Sequence, residues 1–141
     1  MSDLETARQC ADAMLAADRA SAALGIAIAI PAPGRAEATM TVRDDMVNGF
    51  GVLHGGLTFS LADTAFAFAC NAYDQLSFAA SAHIDFLRPA RSGDVLTASA
   101  VEDYRGRRSG YYTVEVRNQD DALVALFRGR STNSGDSIIS P

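Results

Sequence analysis

The chain has 141 residues, 48% of them apolar and 21% charged, with a net charge of −5 at pH 7. That is the size and balance of a single globular domain, long enough to bury a core without disulfides or metals. All 12 cations are Arg and none is Lys, which excludes Schiff-base and Lys-nucleophile chemistry, and the acidic balance argues against nucleic-acid and anionic-membrane partners.

The N-terminus lacks a basic stretch followed by an apolar run, so no secretory signal is expected. The longest apolar stretch, Leu57 to Cys70, is interrupted by Ser60, Asp63 and Thr64. It does not read as a membrane span, and a reducing, cytoplasmic setting is the expectation. Cys10 and Cys70 show no metal-ligand spacing, and with only His54 and His83 beside them no metal site is expected; no cofactor is expected either.

In chain order, apolar positions at Leu4, Ala7, Ala11, Met14, Leu15 and Ala17 predict a helix over about 3–20, capped by Ser2 or Asp3. From Gly25 the period becomes two. Ile26, Ile28 and Ile30 form a strand, Pro31 to Gly34 a turn, and Ala38, Met40 and Val42 the second strand of a hairpin. Ile84 and Phe86 alternate with His83, Asp85 and Arg88. After the break at Pro89 and Ser92-Gly93-Asp94, Leu96, Ala98 and Ala100 make the next strand. Tyr112, Val114 and Val116 give the cleanest alternation, Asn118 to Asp121 a turn, and Ala122 to Arg130 the last strand. Short polar connections make these strands antiparallel, with one wet and one buried face. Residues from about 132 to 141 read as a frayed tail.

The segment 55–73 differs. It follows Gly55-Gly56, is rich in Ala, Leu and Phe, and at helical spacing is apolar nearly all round. Gly56, Ser60, Asp63, Thr64, Ala67, Asn71 and Asp74 form its one remaining stripe. The fold class that follows is α+β: a curved antiparallel sheet wrapped around one long central helix.

Asp63 is the residue that demands an explanation, because an unpaired carboxylate on an apolar helix costs several kcal/mol. It is a general base or nucleophile, or it caps a shorter helix starting at Thr64, with 57–62 as a strand. Gly55-Gly56 at a helix start offers free N–H groups and the positive end of the macrodipole, the chemistry of an oxyanion hole; a plain turn is the alternative. His54 reads equally as a functional imidazole and as a buried, hydrogen-bonded one. Gly55 and Asp63 are eight residues apart, about 12 Å along one helix. Reacting groups must approach to about 3–3.5 Å, so both can act only if they come from different chains of a two-fold dimer.

The block Val47-Asn-Gly-Phe-Gly-Val-Leu-His-Gly-Gly-Leu-Thr-Phe-Ser-Leu-Ala-Asp-Thr-Ala-Phe-Ala-Phe-Ala-Cys-Asn71 closely resembles the PaaI-type acyl-CoA thioesterases of phenylacetate degradation, in the hotdog-fold superfamily. Ile84 to Asp94 and Ala122 to Gly129 are similar to the same family, and the likeness spans roughly residues 20–131. The resemblance implies a homodimer, often a dimer of dimers, that hydrolyses phenylacetyl-CoA-like (hydroxylated aryl) or other acyl-CoA thioesters. It implies that Asp63 attacks or activates water, that Gly55 donates its N–H to the thioester oxygen, and that Asn48 and His54 position water and substrate from the other chain. Gly56, Thr64 and Ser81 are candidate substrate contacts, Ser81 reading equally as a polar strand residue. Arg88, Arg91 and Arg128 are candidate CoA-phosphate contacts, as are the runs Arg105/Arg107/Arg108 and Arg128/Arg130, against the plain reading of solvated surface. Two departures stand out: Ala67 occupies a position where some hotdog thioesterases carry Thr, and Phe50 one where PaaI-type sequences often carry His. Tyr111, Phe127 and the Phe66/Phe68 pair read as core, and Cys70 as an apolar filler. The competing functions are a hotdog hydratase or dehydratase, which needs a paired acid and base, and a non-catalytic acyl-CoA-binding module.

Overall fold

The computed structural model describes residues 1–140. Helix α1 (Asp3–Ala17) opens on a capping box in which Ser2 and Glu5 bond each other's backbone N–H. The single helix expected over 3–20 is broken: Asp18 ends α1 and caps α2 (Arg19–Leu24) through the Ser21 N–H, and Gly25 closes α2 in the left-handed conformation.

Strands β1 (Ala27–Ala32) and β2 (Arg35–Thr41) form the predicted hairpin. Its turn is narrower than expected, because Pro31 stays in β1 and only Pro33-Gly34 reverses the chain. An edge strand tolerates a proline, and the register shifts between Ala29 and Ala32 to accommodate it. A short 3-10 turn, Asp44–Met46, and the loop closed by Val47 and Leu53 lead into α3 (Gly55–Cys70). Then follow β3 (Ser77–Phe86), β4 (Val95–Arg105), β5 (Ser109–Arg117) and β6 (Leu123–Asn133).

The six strands form one antiparallel sheet in the order β1-β2-β4-β5-β6-β3. Helix α3 lies across its inner face. Ala36, Ala38, Ala98 and Ala100 are all buried there, and their small side chains let the helix approach. Phe66 packs on Tyr112 and Phe127, with ring centroids 5.5 and 5.8 Å apart, and sits directly over Gly129. This is the hotdog arrangement.

Four expectations are corrected at the element level. Helix α3 stops at Cys70 rather than 73, because Asn71 takes its end: the side-chain amide donates to the Ala67 and Ser77 carbonyls and accepts from the Ser77 N–H. The tail does not fray at 132. Strand β6 runs to Asn133, Ser134 and Asp136 bond the Leu76 backbone, and the Asp74 carboxylate accepts the N–H groups of Ile138 and Ile139; Pro141 lies outside the described residues. Tyr111 is 41% exposed on the outer face, out of phase with buried Tyr112. Finally, β3 does not have one wet and one buried face. Its residues from Phe78 to His83 are exposed on both faces, and its far edge pairs with no strand among the described residues.

Candidate active site

Helix α3 is continuous from Gly55 to Cys70, so Asp63 lies mid-helix and is not a cap. Helical rise puts it about 12 Å from Gly55. Thr58, Leu61, Ala62, Ala65, Phe66, Phe68 and Ala69 fill the buried sectors of α3. The side carrying Ser60, Asp63, Thr64 and Ala67 is only partly covered, and it opens into a cleft of about 410 Å³. Asp63 has no hydrogen-bond or ion-pair partner among the described residues. Burial, with nothing to offset it, raises its pKa above the ordinary 3.8. Burial is also the main reason the neighbouring Cys70 thiol is pushed up to about 12, with the Asp63 charge adding to it.

At the other end of the helix, His54 is the N-cap. Its Nδ1 accepts the Gly56 N–H at 3.1 Å, so the imidazole is exposed and occupied in capping, not buried in the core. That bond requires an unprotonated Nδ1 and leaves Nε2–H facing solvent. The Gly56 amide is therefore taken up by His54. The Gly55 N–H, by contrast, has no acceptor among the described residues, and it sits at the positive end of α3. Gly55 lines a second cleft of about 300 Å³ with Val52, Phe86, Leu87 and Arg88. A Cβ at Gly55 would meet the Phe86 ring at 3.3 Å, so the Phe86 ring lies close against bare backbone there.

Asn48 shapes the loop before α3. Its Oδ1 accepts the N–H groups of Phe50 and Val52 at 2.9 and 3.4 Å, leaving the amide NH₂ as its free end. Phe50 rides at the tip of that loop, 90% exposed. The Thr64 hydroxyl donates to the Ser60 carbonyl at 2.6 Å and so offers the cleft only an acceptor.

Ser81 is not near this helix face. It pairs with Arg130 across the β3–β6 ladder and receives the Arg130 Nε–H at 3.3 Å, on the outer side of the sheet. Arg128 lies on the same side, 3.7 Å from Asp103, and both arginines line an outer groove of about 480 Å³ with Ser81, His83 and Tyr111. Arg88 borders the Gly55 cleft, and Arg91 is exposed in the following turn. Arg105 is occupied, stacked 3.8 Å over the Tyr73 ring and bonded to Gln75. Among the described residues, no three His, Cys, Asp or Glu side chains converge as a metal site would need. No helix among them is long and apolar enough to cross a membrane.

Residues missed by the sequence argument are those that cover Asp63. Met14, Asp18, Ala20, Ser21 and Leu24, from the α1–α2 junction, form the far wall of its cleft. No sequence signal marks them, because Asp18 suits a helix surface as well as the cap it forms here.

Comparison with known proteins agrees with this geometry. A family model of the thioesterase superfamily matches residues 50–125, from the loop before α3 into β6. The acyl-coenzyme A thioesterase PaaI of Escherichia coli is 48% identical over 130 residues, covering 92% of this chain and 93% of that protein. The structure of E. coli PaaI, from the phenylacetic acid degradation operon, superposes with a TM-score of 0.95 at 46% identity, covering 96% of this chain and 99% of that one. A point mutant of the phenylacetic acid degradation protein PaaI from Thermus thermophilus gives a TM-score of 0.78 at 39% identity, covering 82% of this chain and 98% of that one. The fold and these relatives define a thioester hydrolase of the hotdog class. The chain belongs to the thioesterase superfamily, and within it resembles PaaI.

Proposed function

We propose that the protein is a cytoplasmic acyl-CoA thioesterase, working as a homodimer or a dimer of dimers, that releases CoA from phenylacetyl-CoA-like thioesters. The observation that carries the reading is one rigid helix with an unpartnered carboxylate at Asp63 and an unpartnered amide at Gly55. The two are too far apart to meet on one carbonyl. A second copy related by a two-fold axis supplies the missing half: Asp63 of one protomer faces the partner's Gly55, twice. Two features support the pairing. The outer edge of β3 is unpaired, and Phe78, Phe86 and Leu87 beside it are exposed.

In this arrangement the thioester oxygen accepts the partner's Gly55 N–H at the helix terminus. As water attacks the carbonyl carbon, Asp63 takes its proton, and the negative charge develops where the amide and the dipole favour it. The tetrahedral intermediate collapses with loss of the CoA thiolate, which needs no strong acid to leave because a simple thiol has a pKa near 8.5, roughly that of cysteine. The products are the free acid and CoA. No cofactor takes part. The amide of Asn48 and the Nε2–H of His54 are the donors placed to orient water and substrate. Arg88 is the cation that borders the Gly55 cleft, with Arg91 near it in sequence; Arg128 belongs to the outer groove.

A hydratase would need an acid and a base side by side. Within one protomer His54 is more than two turns from Asp63, and in the dimer, where the partner's His54 comes close, its Nδ1 is already taken up by the Gly56 N–H. The reading is tested with a panel of aromatic and aliphatic CoA thioesters, following free thiol with a colour reagent, and with hydration of crotonyl-CoA as a counter-assay. Thiol release from aryl-CoA supports it. Binding without thiol release, or hydration without cleavage, overturns it.

A further inference from the structure

The cleft beside Asp63 is built from two parts of the chain that are far apart in sequence. One wall is the half-open face of α3, with Phe59, Asp63, Ala67 and Phe68. The other is the α1–α2 junction, with Met14, Ala20 and Leu24. The junction exists because Asp18 breaks the helix, so the break creates the wall.

Its polar groups are nearly all spent inward. The Ser21 hydroxyl donates to Asp18 at 2.6 Å, Ser60 donates to the Gly56 carbonyl at 2.9 Å, and Thr64 donates to the Ser60 carbonyl at 2.6 Å. No hydroxyl proton is left to point into the cleft. What remains is apolar surface from Met14, Leu24, Phe59 and Phe68, plus two carboxylates, Asp18 and Asp63. Such a wall accepts hydrogen bonds, donates none, and repels anions. Its volume of about 410 Å³ exceeds the ~150 Å³ that suffices to bind benzene in an apolar cavity, and it lies in the range of small-molecule pockets.

We propose that Met14, Ala20 and Leu24 on the α1–α2 junction set the size limit on the acyl group that reaches Asp63, and that Asp18 on the same junction turns away a negatively charged one. This rests on the assignment of Asp63 as the reacting carboxylate. With the thioester carbon held at Asp63, the acyl group extends under the junction and the CoA arm leaves on the opposite side. A phenol-type hydroxyl finds acceptors in the pocket. A second carboxylate, as in a dicarboxylic acyl group, meets the like charge of Asp18 and no donor on this wall.

The test compares wild type and two variants on acetyl-, phenylacetyl-, hydroxyphenylacetyl- and succinyl-CoA. Ala20 is exposed at the rim, so Ala20→Phe fills the cleft without entering the core. It should lower kcat/KM for both aryl substrates by about ten-fold or more, with acetyl-CoA little changed. Met14→Ala should shift preference toward larger acyl groups. Wild type should favour phenylacetyl- over succinyl-CoA by about ten-fold or more. A folded Ala20→Phe protein with unaltered acyl selectivity overturns the pocket, as does equal cleavage of succinyl- and phenylacetyl-CoA. Absence of thiol release from every thioester instead overturns the thioesterase reading itself, so the two failures are distinguishable.

Discussion

Replacing Asp63 by Asn tests function and stability in one variant, because the proposed role of this carboxylate and its uncompensated burial pull in opposite directions. The side chain is nearly isosteric and α3 has no cap or ion pair there to lose. As the base or nucleophile, its loss should lower kcat by about 10²–10⁴-fold with KM little changed. Stability should move the other way. Burial raises the Asp63 pKa with no bond or cation to offset it. A carboxyl whose pKa is raised in the folded state favours folding only while protonated, and that contribution is lost as pH rises through the folded-state value. At pH 7 the ionised side chain is therefore a net burden. Leaving a half-buried polar group unsatisfied costs about 1–3 kcal/mol. The neutral amide should recover part of that, seen as a melting temperature higher by a few degrees for a chain of this size, at about 3–5 °C per kcal/mol. The gain should shrink as pH falls from neutral toward the ordinary 3.8 of an aspartate. The same raised pKa should place the acid limb of the wild-type kcat/KM profile above the usual carboxylate range. Calorimetry at neutral pH and near the ordinary aspartate pKa, beside steady-state kinetics, measures all of this. An Asp63→Asn protein that is inactive but less stable at pH 7 would refute the idea of an uncompensated charge; one with normal turnover would refute its role.

Gly55→Pro removes the amide proton but not the helix: position one of a helix tolerates proline, His54 already has the extended conformation (φ −59°, ψ 129°) that a residue before proline requires, and the Phe86 ring that a side chain there would crowd is exposed and free to move aside. We expect kcat to fall about 10²–10³-fold with unchanged circular dichroism, and near-normal kcat would remove Gly55 from the mechanism. Gly129→Ala would set a Cβ 2.9 Å from three atoms of the buried Phe66 ring, so it should destabilise by about 1–3 kcal/mol in a denaturant titration. Ala80 lies at the irregularity in β3, between Ala79 and Ser81, where the β6 register shifts. Proline there spares the β6 ladder and blocks the free edge. Sedimentation should show Ala80→Pro shifted to monomer, with activity lost in proportion; an active variant that still self-associates would place the dimer contact elsewhere.

How far the sequence revealed this protein depended on whether local chemistry or distant chain segments decided the outcome. The alternation in Tyr112, Val114 and Val116 read correctly because both neighbours of β5 bury the same face. The continuity of α3 read correctly because Ala, Leu and Phe favour helix over three turns. Strand β3 looked equally amphipathic in its pattern of Ile84 and Phe86, yet from Phe78 to His83 both faces are exposed and only Ile84 packs against the core, since periodicity carries no information about which strand ends at the edge. The helix expected over 3–20 failed at Asp18 for a related reason. Asp is as compatible with a helix surface as with a cap, and the choice falls to the cap only because Ser21 is buried and both its N–H and its hydroxyl need the carboxylate. The polar stripe on α3 was legible, and so was the distance that keeps Gly55 from Asp63, because helix rise is fixed. What covers that stripe was not legible. Met14, Ala20 and Leu24 meet Phe59 and Phe68 only once the break at Asp18 turns the chain, so the wall of the cleft is a product of tertiary structure. The proposed chemistry therefore sits in a short, recognisable block around α3, whereas the proposed discrimination between acyl groups falls to residues with no motif at all.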